Sequence, residues 1–260
     1  YMMKKIIYET NPLQLLLNGL NKLFKNNQSL TIFILVISLV ELGFSFSQKP
    51  IENFVQTFTN KSSGLFNINL ATFIIVILFI LISIIFNTLI SGMSAYLATS
   101  NANNKRSTIK QAYQASLSKF WTVFGVNFMV ALKTILGFIL FIIPGIRAMI
   151  RYNFSLIYVF DENTNVKQSM KKSRQLSEGH LIEIMGLMIW SGIVPLINSI
   201  TVIGSKSELY HQLKALKSSP HKLPPVHLLN YLIIILLTLI LVIFLLFLAS
   251  AFIYMKLVLN

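Results

Sequence analysis

The chain has 260 residues, of which 55% are apolar and 12% charged, with a mean hydropathy of +0.70 and a net charge of +14. Soluble domains carry roughly 25% charged residues, so this balance argues against a soluble globular protein. The Lys and Arg residues flank apolar runs, which makes anionic lipid head groups, not nucleic acid, the expected partner. The absence of Cys excludes disulfides, thiol catalysis and Cys-ligated zinc.

In chain order, Tyr1 to Gln28 lacks a continuous apolar core and an A-x-A-like site, so no cleavable signal peptide is expected there. Within it, Asn11 can cap a helix with Pro12 at its first position, and Leu13, Leu16, Leu17, Leu20 and Phe24 fall on one side. Ser29–Phe46 is the first candidate span and Ile68–Leu97 the second. A second amphipathic stretch follows, with Ile109, Ala112, Tyr113, Ser116 and Phe120 opposite Lys110, Gln111 and Lys119. Trp121–Ile143 is the third span and Ile146–Phe160 the fourth, which is short for a hydrocarbon core that takes about 20 helical residues to cross. Val166-Lys167-Gln168-Ser169-Met170 then echoes Ile109-Lys110-Gln111-Ala112-Tyr113. His180–Ile203 and Tyr231–Val258 complete six spans. Helices that are apolar on one side and basic on the other suit the head-group boundary, and they also suit linkers packed beneath a bundle.

The expected fold is therefore all-α: a single integral membrane domain over residues 1–260 with six transmembrane helices and about three interfacial ones. Three units of surface helix plus two spans, at about 11–97, 108–160 and 165–258, suggest a threefold pseudo-repeat. Lys and Arg place the N-terminal segment, residues 105–119 and residues 167–174 in the cytoplasm, with both termini inside a multi-pass cell-membrane protein. The fifth loop conflicts with this, because Lys206, Lys214, Lys217 and Lys222 make it basic although it would lie outside. Either the rule is broken there, or Gly192 and Pro195 turn the fifth span into a re-entrant hairpin. Ser205 and Glu208 have capping-box spacing, followed by Leu209, Leu213 and Leu216, so a fourth short amphipathic helix is expected to begin at Ser205.

Charges in the apolar segments point most directly to function, since an unpaired charge in hydrocarbon costs several kcal/mol. Lys133 and Glu41 are expected at similar depth and are read as an ion pair, serving either helix packing or a substrate or proton pathway. Glu183 is expected at the interface, near Lys171 or Lys172. Pro144 and Gly145 are expected to end the third span and allow an immediate return. Arg147 and Arg151 follow on one face, placed to hold a phosphate or carboxylate, or to snorkel to lipid phosphates. The histidines have no carboxylate or Cys neighbours at ligand spacing, and no catalytic or nucleotide-binding motif is present, so no metal, cofactor or enzyme activity is expected.

One resemblance stands beside this reading. Ile143-Pro144-Gly145-Ile146, Arg151-Tyr152, Ser173-Arg174-Gln175-Leu176 with Glu178-Gly179-His180, Trp190 and Ile200-Thr201-Val202-Ile203-Gly204 resemble a family of six-span bacterial membrane proteins of unknown function. That family is similar to the membrane domain attached to some glycerophosphodiester phosphodiesterases. The likeness covers about residues 105–204, and Ser205–Leu228 departs from it as an apparent insertion. It implies a six-helix membrane domain without attached hydrolase chemistry. The expected function is non-enzymatic binding or translocation of a lipid or amphiphilic peptide. The alternative is a non-catalytic membrane subunit or scaffold with a protein partner or a second copy.

Overall fold

A computed structural model describes residues 9–46, 70–192, 198–217 and 225–232, with 234–236, 238–239, 242–243, 246–247 and 250 beyond them. Side chains are described for these except 41–46, 70–72 and 198. Among the described residues every regular element is helical: α1 (Pro12–Phe46), α2 (Leu70–Ala102), α3 (Ile109–Ser118), α4 (Phe120–Leu140), α5 (Ile142–Arg151), α6 (Ser155–Asp161), α7 (Val166–Ser177), α8 (Leu181–Gly192) and α9 (Asn198–Lys217). The described residues from 228 to 250 are helical as well.

Among the described residues, three helices are long and apolar enough to cross a membrane: Pro12–Val40 of α1, Phe73–Ala102 of α2 and Phe120–Leu140 of α4. Their burial divides each into two parts. In α1, Leu15, Leu23, Leu30 and Ile34 are buried, whereas Val36, Leu39 and Val40 are exposed. In α2, Met93, Leu97, Ala98 and Ala102 are core residues, while Phe73, Leu78, Phe79, Ile82 and Phe86 are exposed. The packed ends join α6, α8 and α9 around Phe154, Ile157, Ile184, Ile200, Leu209, Tyr210 and Leu213. Apolar arms therefore extend from one packed body. Such exposed area is costly in water and costs nothing in hydrocarbon, which accounts for its distribution.

The first amphipathic stretch does not lie separately on the surface but runs on into the first span as α1. The two parts meet at a kink where Asn27 leaves helical geometry (φ −135°, ψ 38°). Its buried face also differs from the expected one. Leu15, Gly19 and Leu23 face inward, whereas Leu13, Leu17 and Phe24 are exposed. The reason is a backbone crossing with α9, since a Cβ placed on Gly19 would lie 2.3 Å from the Gly204 carbonyl carbon. No other residue permits that approach, so the glycines select the face over the larger leucine stripe.

Two further boundaries differ from expectation. The third span ends at Leu140, and extended Phe141 (φ −166°, ψ 159°) makes the reversal. Pro144 and Gly145 instead sit inside the first turn of α5, where proline's missing donor costs nothing. Gly145 closes the hairpin, since a Cβ on Gly137 would meet its Cα at 2.8 Å. The fourth span is broken at residues 152–154 between α5 and α6. Ser173 of α7 holds that break open: its Oγ donates to the Arg151 carbonyl at 2.8 Å and accepts from the Phe154 N–H at 3.1 Å. Both backbone groups are thereby satisfied without a continuous helix.

In the fifth candidate span, α8 ends at Gly192 and α9 begins at Asn198; Pro195 lies outside the described residues. α9 continues through Ser205, whose hydroxyl donates to the Thr201 carbonyl at 2.6 Å instead of capping a new helix. Residues 205–217 of the apparent insertion thus belong to a core helix lying along α1.

The α3 and α7 helices begin alike. Each has a full capping box, Thr108 with Gln111 and Asn165 with Gln168. Four and eight residues after the cap position lie Ala112 and Ser116 in α3 and Ser169 and Ser173 in α7, all buried. The same offsets from Asn11 fall on buried Leu15 and Gly19.

Candidate cationic groove

α4 and α5 are antiparallel arms joined at Phe141, so residues equally distant from that turn are brought together. Lys133 lies seven residues before Leu140, about 10 Å along the axis. Arg147 and Arg151 occupy successive turns of α5. Lys133, Arg147 and Arg151 together line one cavity of about 330 Å³, with Ile143, Pro144, Ala148 and Tyr152. The Lys133 ammonium donates to the Tyr152 hydroxyl at 3.3 Å and stands 4.8 Å from its ring centroid.

Among the described residues, no carboxylate lines this groove. Arg151 is repelled by Arg147 and Arg174 and attracted by Glu178. Its Nε is buried and has no hydrogen-bond partner among the described residues. Two guanidinium groups and an ammonium beside apolar walls have the chemistry to hold an anion carried on a hydrophobic molecule. Arg supplies a planar fork for phosphate or carboxylate, and Lys adds a point charge.

The remaining predicted residues are placed differently. Glu41 lies on α1, and its side chain is outside the described residues, as is any contact with Lys133. Glu183 is buried on α8 with His180 beside it, the Nδ1–Oε1 distance being 3.5 Å. Lys172 is engaged elsewhere, paired with Glu162. Asp161 and Glu162 form a knot: Asp161 accepts hydrogen bonds from Tyr210 at 2.6 Å, Asn103 at 2.7 Å and Lys214, and Glu162 also pairs with Lys214 at 2.7 Å. This knot ties α2, α6, α7 and α9 together and has the geometry of a structural fastener. Among the described residues, no three His, Asp or Glu side chains converge as a metal site requires.

A second cavity adjoins the groove at Tyr152. It measures about 490 Å³ and is lined by Asn127, Thr134, Met149, Asn153, Met188 and Lys206 among others. A third cavity, of about 180 Å³, shares Leu156 and Lys206 with it and extends to Ser91 and Ser94. Lys206 differs from expectation, since it lies within the continuous helix α9 and not in a basic loop whose short helix begins at Ser205. The signal was present: Ile200, Ile203, Ser207 and Tyr210 continue a helical stripe straight through the supposed boundary.

No family model matches the chain, and neither does any curated protein or solved structure.

Proposed function

We propose that the protein is a non-catalytic integral membrane protein that binds, or carries across the bilayer, a lipid or amphiphilic peptide with an anionic group. The observation supporting this reading is the convergence of Lys133, Arg147 and Arg151 on one apolar-walled groove that has no carboxylate among its described residues. A structural ion pair would place an acid beside these cations. A groove awaiting an anion leaves them open, and Ile143, Pro144 and Ala148 give it apolar walls for the ligand's body.

In this proposal the chain is multi-pass in the cell membrane. It makes six membrane passages with both termini cytoplasmic, and the broken α5–α6 segment forms the fourth. The six buried positions, two at matching offsets after each of Asn11, Thr108 and Asn165, support a threefold pseudo-repeat. The quoted residues between 105 and 204 support kinship with the six-span family named above. Exposed Lys105, Arg106, Lys110, Lys167 and Lys171 are suited to anionic head groups.

Native mass spectrometry after gentle extraction tests the proposal. The parent chain should retain an anionic lipid or peptide, and Arg147→Gln with Arg151→Gln should release it. Retention unchanged by these substitutions would refute the groove. The alternative, a scaffold subunit or homo-oligomer, draws support from the uninterrupted exposure of Phe73 through Phe86 on α2. A stoichiometric protein partner, or a second copy with no retained ligand, would favour it.

A further inference from the structure

Lys206 is a half-buried cation that the groove does not use. It lies on α9, outside the three helices long enough to span, and it borders both the second and third cavities. Burial alone pushes its ammonium down to about 8, with no carboxylate opposing that fall. Among the described residues no acid pairs with it, although nearby acids are paired: Glu208 binds Lys22 at 3.4 Å and Asp161 binds Lys214.

The cavity around Lys206 differs from the groove in charge and shape. Its walls are Val126, Val130, Ala131, Ile135, Leu156 and Met188, and Lys206 is its single cation. At about 490 Å³ it falls within the range of small-ligand sites, roughly 300–1,000 Å³. Thr134 contributes a buried hydroxyl without a hydrogen-bond partner among the described residues. Asn127, already donating to the Ser91 hydroxyl at 3.0 Å, is held in place. One positive charge on a cavity walled mostly by apolar side chains matches a ligand with one negative charge, a small head and an apolar body. A diacyl lipid phosphate is matched instead by the paired arginines of the groove.

We propose that this cavity binds a long-chain carboxylate, its head on Lys206 and its chain against Val130, Ala131 and Met188. The site deepens the function proposed above by naming a substrate class, and it rests on that reading, though on different residues.

The test uses the full chain in nanodiscs of uncharged phosphatidylcholine, with radiolabelled oleate as probe and oleyl alcohol as its neutral counterpart. The parent should bind one oleate saturably. Lys206→Met should weaken oleate on the order of tenfold or more, the scale of a lost charge-assisted hydrogen bond, while changing oleyl alcohol by less than about threefold. Lys206→Arg, which keeps the charge, should restore oleate binding. Ala131→Phe, which fills the chamber, should weaken both ligands. A thermal melt of Lys206→Met at or above the parent's confirms a folded variant, as removal of an unpaired half-buried charge predicts. Oleate bound equally by Lys206→Met, or no saturable oleate in the parent, overturns the proposal. Oleate lost instead in the Arg147→Gln, Arg151→Gln variant also overturns it and returns the ligand to the groove. Should that variant leave both oleate and retained lipid unchanged, the groove fails and the Lys206 site stands alone.

Discussion

Asn27 accepts two hydrogen bonds from Ser107, one from its backbone N–H at 2.7 Å and one from its hydroxyl at 2.6 Å. Both residues are buried, so the kink of α1 is fastened to the segment that precedes α3. Thr31 completes the joint by donating to the Asn27 carbonyl at 2.8 Å. Asn27→Ala would strand two buried donors and should cost about 2 kcal/mol. Ser107→Ala, which keeps the backbone bond, should cost about 1 kcal/mol. Chemical unfolding in detergent checks the order, and equal losses would contradict it.

The Gly19–Gly204 crossing makes a second prediction with a definite sign. Alanine normally favours a helix over glycine by about 1 kcal/mol. Here a Cβ on Gly19 would sit 2.8 Å from the Ser205 nitrogen, and one on Gly204 2.9 Å from the Gly19 carbonyl carbon. Backbone cannot swing aside, so each substitution should destabilise by about 2 kcal/mol net. Gly192, which would meet nothing within 4 Å, is the control. A melting temperature unchanged in Gly19→Ala would show that the helices do not cross there.

Acid stability depends on Asp161. Burial raises its carboxyl, but hydrogen bonds from Lys214, Tyr210 and Asn103 outweigh this and hold it below the ordinary carboxylate value. Because the folded value is depressed, its stabilisation is present above the unfolded value, about 3.9, and is lost as pH falls through the folded one. Stability should therefore decline below about pH 4. Asp161→Asn should flatten that decline while lowering stability at neutral pH. An unaltered acid limb in this variant would remove Asp161 from the account.

The caps of α3 and α7 should behave as equivalents. Thr108→Ala and Asn165→Ala each remove a side-chain acceptor from a capping box and should cost about 1 kcal/mol. The buried serines eight residues later should not be equal. Ser116 donates one bond, to the Leu89 carbonyl at 2.8 Å, whereas Ser173 serves both sides of the break before α6. Ser173→Ala should therefore cost about 1 kcal/mol more than Ser116→Ala. A larger loss at Ser116 would reverse the assignment.

Much of this was legible in the chain. The apolar runs announced long helices, and α2 and α4 follow their hydropathy closely because composition alone decides which segments belong in hydrocarbon. The Ile-Lys-Gln and Val-Lys-Gln echo was readable because it is local in sequence, whereas the capping boxes at Thr108 and Asn165 that open these helices came from the structure. The cations Lys133, Arg147 and Arg151 were recognisable individually, since charge in an apolar run stands out. Their convergence required the hairpin at Phe141.

By itself the sequence determined the all-helical character, the apolar arms and the inventory of charges they carry. Those follow from local periodicity and from the cost of placing charge in hydrocarbon. Tertiary structure decided which face of α1 is buried, because both sides are apolar and only distant Gly204 breaks the tie. It broke the fourth span where Ser173 satisfies the exposed backbone, and it carried Lys206 from an apparent loop into the wall of two cavities. In each case the deciding partner lies far along the chain, and local preference does not register it.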